Sequence, residues 1–163
     1  MKLATPNEMK KLDRLAMEIY KIPGILLMEN AALSIVSKAI EMLESTSRGS
    51  KTVVIAGKGN NGGDAYAAAR HLIQKRYPVI IISLVERSMV TGDAESYLKI
   101  LESIDAHVIY ATDEAYLTEI ETLLNDSALI IDGIFGTGFY GSVTGLFKSI
   151  IQLINKSRAM VLS

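Results

Sequence analysis

Two stretches of the chain concentrate residue types that could do chemistry. The first is Gly57-Lys58-Gly59-Asn60-Asn61-Gly62-Gly63-Asp64, in which two amides and a carboxylate share a run with four glycines. It contains G-x-G-x-x-G between an apolar β-type run and a small-residue helical stretch, Ala65 through Ala69. That is the context of a dinucleotide fingerprint, in which a helix N-terminus faces a diphosphate. Glu86, past the second β-type run, could serve as the acid such a fingerprint places on the ribose. The run is not a Walker A loop, because no Gly-Lys-Ser/Thr follows at the required spacing. Asp64, read as the start of its helix, would compete with a bare phosphate for the same amides, so a polar uncharged group or a cation suits this run better. The plainer alternative is that Asp64 only caps the helix and the glycines only turn the chain.

The second stretch begins at Asp132 and runs Gly133-Ile134-Phe135-Gly136-Thr137-Gly138-Phe139-Tyr140-Gly141-Ser142-Val143-Thr144-Gly145. Its five glycines leave backbone amides accessible, and with the Thr137 and Ser142 hydroxyls they can form a nest for a phosphate or diphosphate. Asp132 ends an apolar run, where an unpaired buried carboxylate is expensive, so a cation or strong donors are expected beside it. If Asn61 and Asp132 come from neighbouring strands, their carboxylate and amide oxygens with nearby carbonyls suit a hard cation rather than zinc.

The elements that must position these stretches follow from periodicity. Thr5, Pro6 and Glu8 make a capping box ahead of Met9, Leu12, Ala16 and Ile19, which predicts an amphipathic helix closed by Pro23-Gly24. Ile25 to Leu43 reads as a second helix, apolar nearly all round apart from Asn30, Ser34, Ser37 and Glu41, and therefore mostly buried. A polar loop, Ser45 through Lys51, precedes strands at Val53–Ala56, Val79–Leu84, His107–Tyr110, Ala128–Asp132 and Ala159–Leu162. Helices are expected between them at Asp64–Lys75, Asp93–Ile104, Glu114–Leu124 and Leu146–Asn155. Regular βα alternation with continuous apolar strands predicts an α/β fold: a three-layer αβα Rossmann-like sandwich around a mainly parallel sheet of about five strands, preceded by two N-terminal helices. In a sheet of order 3-2-1-4-5 the two glycine-rich stretches leave adjacent strands at their carboxyl ends, where open α/β sheets bind ligands.

Composition narrows the function classes. With 163 residues, 49% hydrophobic and no internal repeat, the chain reads as a single domain over 1–163. No cysteine is present, which excludes disulfides, thiolate metal sites and a cysteine nucleophile. A formal net charge of −1 speaks against general nucleic-acid binding, and no stretch is apolar enough for a membrane helix. Met1 through Glu8 lacks the apolar region of a secretory signal, so a cytoplasmic location is expected.

Asn60-Asn61-Gly62-Gly63-Asp64, Asp132 with Phe135-Gly136-Thr137-Gly138, and Leu27-Met28-Glu29-Asn30-Ala31-Ala32 together resemble the YjeF N-terminal domain family of NAD(P)H-hydrate epimerases, from about Thr5 to Ser163. The resemblance implies interconversion of the R and S forms of nicotinamide cofactor hydrated at C6, so that an ADP- or ATP-dependent dehydratase partner can restore NAD(P)H. It implies that Asn60, Asn61, Gly62, Gly63 and Asp64 contact the hydrated cofactor. Gly136, Thr137, Gly138, Phe139, Tyr140, Gly141 and Ser142 would hold its phosphate-bearing part. Asn61 and Asp132 would bind a potassium ion, and a homodimer would form through the N-terminal helices. The family pattern continues with a Ser-x-Asp-x-Pro-Ser-Gly type loop, whereas the sequence ends at Val161-Leu162-Ser163. The expected bearer of general acid/base chemistry would then lie beyond Ser163, leaving a fragment with weak or no epimerase activity, and a dehydratase domain could follow downstream.

Two other functions compete. Enhancer-of-decapping proteins use a domain of the same fold as a dimerising scaffold, which has no need of a complete Asn60–Asp64 run. An ordinary dehydrogenase would need a hydride-transfer partner residue, and none stands out. His71 and His107 read as structural, His71 on the helix surface without a partner, and Lys58 reads as a solvated loop lysine. Glu29 falls on an apolar helix face and is expected to anchor a loop by accepting backbone hydrogen bonds rather than to line the pocket.

Overall fold

Runs rich in valine and isoleucine supply five short strands that join into one wholly parallel sheet. In the computed structural model, which describes residues 5–46 and 50–163, they are β1 (Thr52–Ala56), β2 (Val79–Ser83), β3 (Val108–Tyr110), β4 (Leu129–Gly133) and β5 (Met160–Leu162). Their order is β3-β2-β1-β4-β5, as the sequence predicts. The order reverses between β1 and β4, which pair with Ile55 opposite Asp132 and Ala56 opposite Gly133. A crevice between the loops leaving those two strands is the topological consequence.

The strand interiors are buried on both faces because helices cover both. Helices α2 (Gly24–Glu44), α3 (Asn60–Gln74) and α4 (Gly92–Ser103) pack on Val54, Ala56, Ile81 and Leu129. Helices α5 (Leu117–Asn125) and α6 (Gly145–Lys156) pack on Val53, Ile55, Ile82 and Ile130. The middle position of α3 explains its composition. Ala65, Ala67, Ala68 and Ala69 are all buried, and small side chains let the helix sit close to the sheet with α2 and α4 alongside. Tyr66, the one large residue in that run, is buried too and donates its hydroxyl proton to Ser83 Oγ at 2.9 Å.

Of the N-terminal helices, the first forms as expected and the second departs from the expectation of burial. Helix α1 (Pro6–Glu18) opens on the predicted capping box: Thr5 N donates to Glu8 Oε2 at 2.7 Å, and Glu8 N to Thr5 Oγ1 at 3.3 Å. Its apolar residues face solvent, with Leu12 53% and Leu15 44% exposed. Helix α2, expected to be mostly buried, is not. Met28, Ala32, Val36, Ala39 and Leu43 form one inward stripe, while Leu26 and Leu33 are exposed. Part of the polar loop expected over Ser45 to Lys51 lies outside the described residues. Among the described residues, no helix is long and apolar enough to cross a membrane.

Candidate functional site at the β1 and β4 carboxyl ends

The first glycine-rich stretch is mostly helix rather than loop. Helix α3 starts at Asn60, so Asn60 through Gly63 form its first turn and Asp64 lies one turn in, not at the start. Gly59 is the cap residue at φ +99°, a backbone conformation that side chains rarely adopt, and no side chain caps the helix. Asp64 is therefore not the cap considered from sequence. The glycines also have a packing role. A Cβ at Gly62 would run into the Gly57 carbonyl oxygen, and one at Gly63 would meet Met28 of α2. Both are buried, and they let backbone and helices come together. Asn60 is exposed, Asn61 and Asp64 are half-buried, and Lys58 is exposed as expected.

Asn61 ties the two stretches together. Its Nδ2 donates to the Phe135 carbonyl oxygen at 3.1 Å, and its Cβ lies where a side chain on Gly136 would have to go. Gly57 N donates to the Gly133 carbonyl at 3.0 Å, extending the β1–β4 ladder into the loops. Asp132 is partly buried and accepts from Ile134 N at 3.0 Å through Oδ1. The expectation of a donor beside it is met by the backbone. Asp132 Oδ2 and Asn61 Oδ1 carry no hydrogen bond among the described residues.

The Gly136–Ser142 segment is exposed throughout. Phe139 N donates to the Gly136 carbonyl, which turns the chain, and the Phe139 ring stacks on Phe135 at 4.1 Å between centroids. Phe139 is thus committed to packing within its own loop. Tyr140, 76% exposed, points outward, and Lys10 Nζ of α1 lies 5.3 Å from its ring centroid.

Burial pushes the Asp64 carboxyl up to about 6, and the nearby carboxylate of Asp13 adds to the effect. Asp13, like Lys10, belongs to α1, and no local pattern marks this helix as reaching the site. Only their spacing, three apart and so on one side of a helix, could have suggested it.

Farther along α3 lies a polar cluster that the sequence assigned differently. His71 does not sit unpartnered on the surface: its Nε2 is 2.9 Å from Glu29 Oε1, with its side chain largely buried. Arg70 Nη2 donates to the same oxygen at 2.7 Å, and the Tyr97 hydroxyl of α4 donates to Glu29 Oε2 at 2.7 Å. Glu29 is an anchor, then, but for two helices rather than for a loop, and its donors are side chains. Burial disfavours its charge, yet the Tyr97 and Arg70 donors outweigh this and hold its carboxyl below the ordinary range. His107 is exposed just ahead of β3, and its carbonyl accepts from Ile81 N in the sheet.

Residues 24–163 match the family model described as YjeF-related protein N-terminus. The chain is 37% identical over 157 residues to the bifunctional NAD(P)H-hydrate repair enzyme Nnr of Moorella thermoacetica, an alignment covering 96% of this chain and 30% of that protein. It is 32% identical over 158 residues to an NAD(P)H-hydrate epimerase of Rhodopirellula baltica, covering 96% of this chain and 61% of that one. With an NAD(P)H-hydrate epimerase of Anaerococcus prevotii it shares 31% identity over 163 residues, covering 100% of this chain and 72% of the other. The chain thus spans 30% and 61% of the first two relatives' lengths. Among solved structures, the crystal structure of yeast ynu0, YNL200c, matches with a TM-score of 0.82 at 24% identity, covering 99% of this chain and 68% of that one. This last likeness establishes the fold. A single family model accounts for everything from the start of α2 to the last residue of the chain, which belongs to the YjeF-related protein N-terminus family.

Proposed function

We propose that this chain binds hydrated NAD(P)H and interconverts its R and S epimers, the activity named for its epimerase relatives. The observation that carries the reading is the Asn61 bridge. One amide side chain joins the first turn of α3 to the loop after β4, at the reversal of strand order where such sheets take ligands. The first turn of α3, with Asn60 and Asn61, would hold the hydrated ring, and the Gly136–Ser142 segment the phosphate-bearing part.

Epimerisation at C6 needs the hydroxyl to leave as water and to return on the opposite face. A carboxyl that is still partly protonated near neutral pH is suited to protonating the departing hydroxyl, and Asp64 is this chain's own candidate. Its carboxylate would then face the cation left on the ring. The free oxygens of Asn61 and Asp132, an amide carbonyl and a carboxylate, fit a hard monovalent cation such as potassium. Bound there, it would neutralise Asp132 and fix the two loops.

The apolar side of α1, with Leu26 and Leu33 of α2, supports a homodimer, since a second copy would cover side chains that water otherwise meets. The names of the bifunctional relatives support an NAD(P)HX dehydratase as the functional partner. The test supplies R-NADPHX together with an S-specific dehydratase and follows NADPH appearance. Weak acceleration over spontaneous epimerisation, greater in potassium than in lithium buffer, is expected; a rate equal to the spontaneous one together with no binding of NADPH overturns the reading.

A further inference from the structure

Helix α1 precedes the residues that the family model matches, yet two of its side chains reach the site. Lys10 Nζ lies 4.0 Å from where a Cβ on Gly138 would be, directly over the glycine-rich loop, and 5.3 Å from the Tyr140 ring centroid. One turn on, Asp13 is close enough to Asp64 at the α3 end for the two charges to oppose each other. The helix therefore lies beside the site, with Lys10 over the glycine-rich loop and Asp13 on the side of Asp64, while Leu12 is exposed to solvent.

Charge gives this placement a consequence. The crevice holds three carboxyl groups from the chain itself, Asp13, Asp64 and Asp132. A ligand diphosphate would meet repulsion unless cations stood at its own end. Lys10 takes part in no ion pair among the described residues, and its ring contact with the exposed Tyr140 is of the weak, solvated kind. A diphosphate lying on the glycine amides would be a far stronger partner for the same ammonium. Lys58, in the turn before α3, is the rival cation, but it stands at the opposite stretch.

We propose that α1 is a third wall of the nucleotide site, and that Lys10 is the residue that meets the ligand's diphosphate over the Gly136–Ser142 loop. This rests on the reading of that loop as the phosphate subsite.

The test uses the full chain with Lys10→Gln, Lys10→Arg, Lys11→Gln and Lys58→Gln. Binding of NADH, NADPH and reduced nicotinamide riboside, which carries no phosphate, is followed by fluorescence at several salt concentrations. Lys10→Gln is expected to weaken NADH and NADPH about tenfold alike and to flatten their salt dependence. The riboside should be unaffected, Lys10→Arg should keep most of the affinity, and Lys11→Gln should behave as the unaltered chain. A tenfold loss with Lys58→Gln instead of Lys10→Gln would overturn the assignment, as would a loss confined to NADPH, which would place Lys10 on the ribose phosphate. Unaltered chain that binds NADH and the riboside equally would sink the underlying reading of the loop, and the proposal with it.

Discussion

Helices α1 and α3 both bring carboxyl groups to the same crevice, but they are held there by opposite means. Helix α3 is enclosed: its alanines are buried against the sheet and two other helices, and its first turn is locked to the backbone of Gly57. Helix α1 shows its apolar side chains to solvent and touches the site through Lys10 and Asp13. Burial of apolar surface contributes about 25 cal/mol per Å², whereas exposed polar contacts contribute about 1 kcal/mol or less each. The α3 wall of the site is thus fixed by the core, and the α1 wall waits on a ligand or a second copy for most of its stabilisation.

The sharpest break in that comparison comes from glycine substitutions on the two stretches. Gly62→Ala forces a Cβ into a backbone oxygen and is expected to cost about 3 kcal/mol, read from the denaturation midpoint. Gly138→Ala meets only the end of the Lys10 side chain at 4.0 Å and should leave the midpoint unchanged. Equal effects of the two would mean that α3 is no better fixed than the exposed loop.

Next in size is Asp64→Asn. The folded chain holds the Asp64 proton up to about pH 6, against an ordinary value of 3.8, so it binds that proton more tightly than the unfolded chain does. Stability should fall as pH rises from about 4 through 6, because the desolvated charge then has to form. Asp64→Asn removes this cost. Discounted for partial exposure, the gain at pH 7.5 is about 2 kcal/mol, and it should vanish below pH 4. If Asp64 also protonates the leaving hydroxyl, epimerase turnover should fall by about 10²- to 10⁴-fold in the same variant. A destabilised Asp64→Asn chain at pH 7.5 would show that the carboxylate has a partner in the fold.

Most of the fold was legible in the sequence because it rests on local periodicity. Continuous runs such as Val53–Ala56 and Ala128–Asp132 leave no choice but a sheet covered on both faces, and βα alternation makes it parallel. The site was legible as two stretches, because glycines and amides cluster where strands end. What did not show was contact between distant segments. The Glu29, Arg70, His71 and Tyr97 cluster joins residues up to 68 positions apart, and nothing local marks His71 as a partner of Glu29. Helix α3 starts four residues ahead of Asp64 although Gly62 and Gly63 oppose helix formation by propensity, because packing against Gly57 and Met28 overrides that. The amphipathicity of α1 was legible, but what its apolar face meets was not, because that face has no core against it within the described chain.

The Glu29 cluster provides a smaller effect and tests whether α3 is held along its length as well as at its start. Glu29→Gln keeps the shape but weakens the pairing with Arg70 and His71, so the melting point should drop by the equivalent of about 1–2 kcal/mol. Because the Glu29 carboxyl is held below its ordinary range, its contribution is present above about pH 4.5 and lost as pH falls, so the deficit should shrink in acid. NADH affinity should be retained once the chain is folded. Lost affinity with near-normal melting would instead place Glu29 in the pocket.

The smallest effect on the folded chain itself is expected on the outer face of α1, and there the sign of the comparison reverses. Leu12 and Leu15 are exposed, so replacing both with Gln removes little buried area and should change the stability of an isolated copy by no more than about 0.5 kcal/mol. A second copy covering that face would lose two apolar anchors, each worth about 1 kcal/mol or more when buried. Sedimentation should therefore show dimers of the unaltered chain and monomers of the double variant at the same concentration. Dimers that survive the double substitution would mean that α1 is stabilised by the ligand alone. In that case Lys10, rather than Leu12 and Leu15, is what keeps this helix in place.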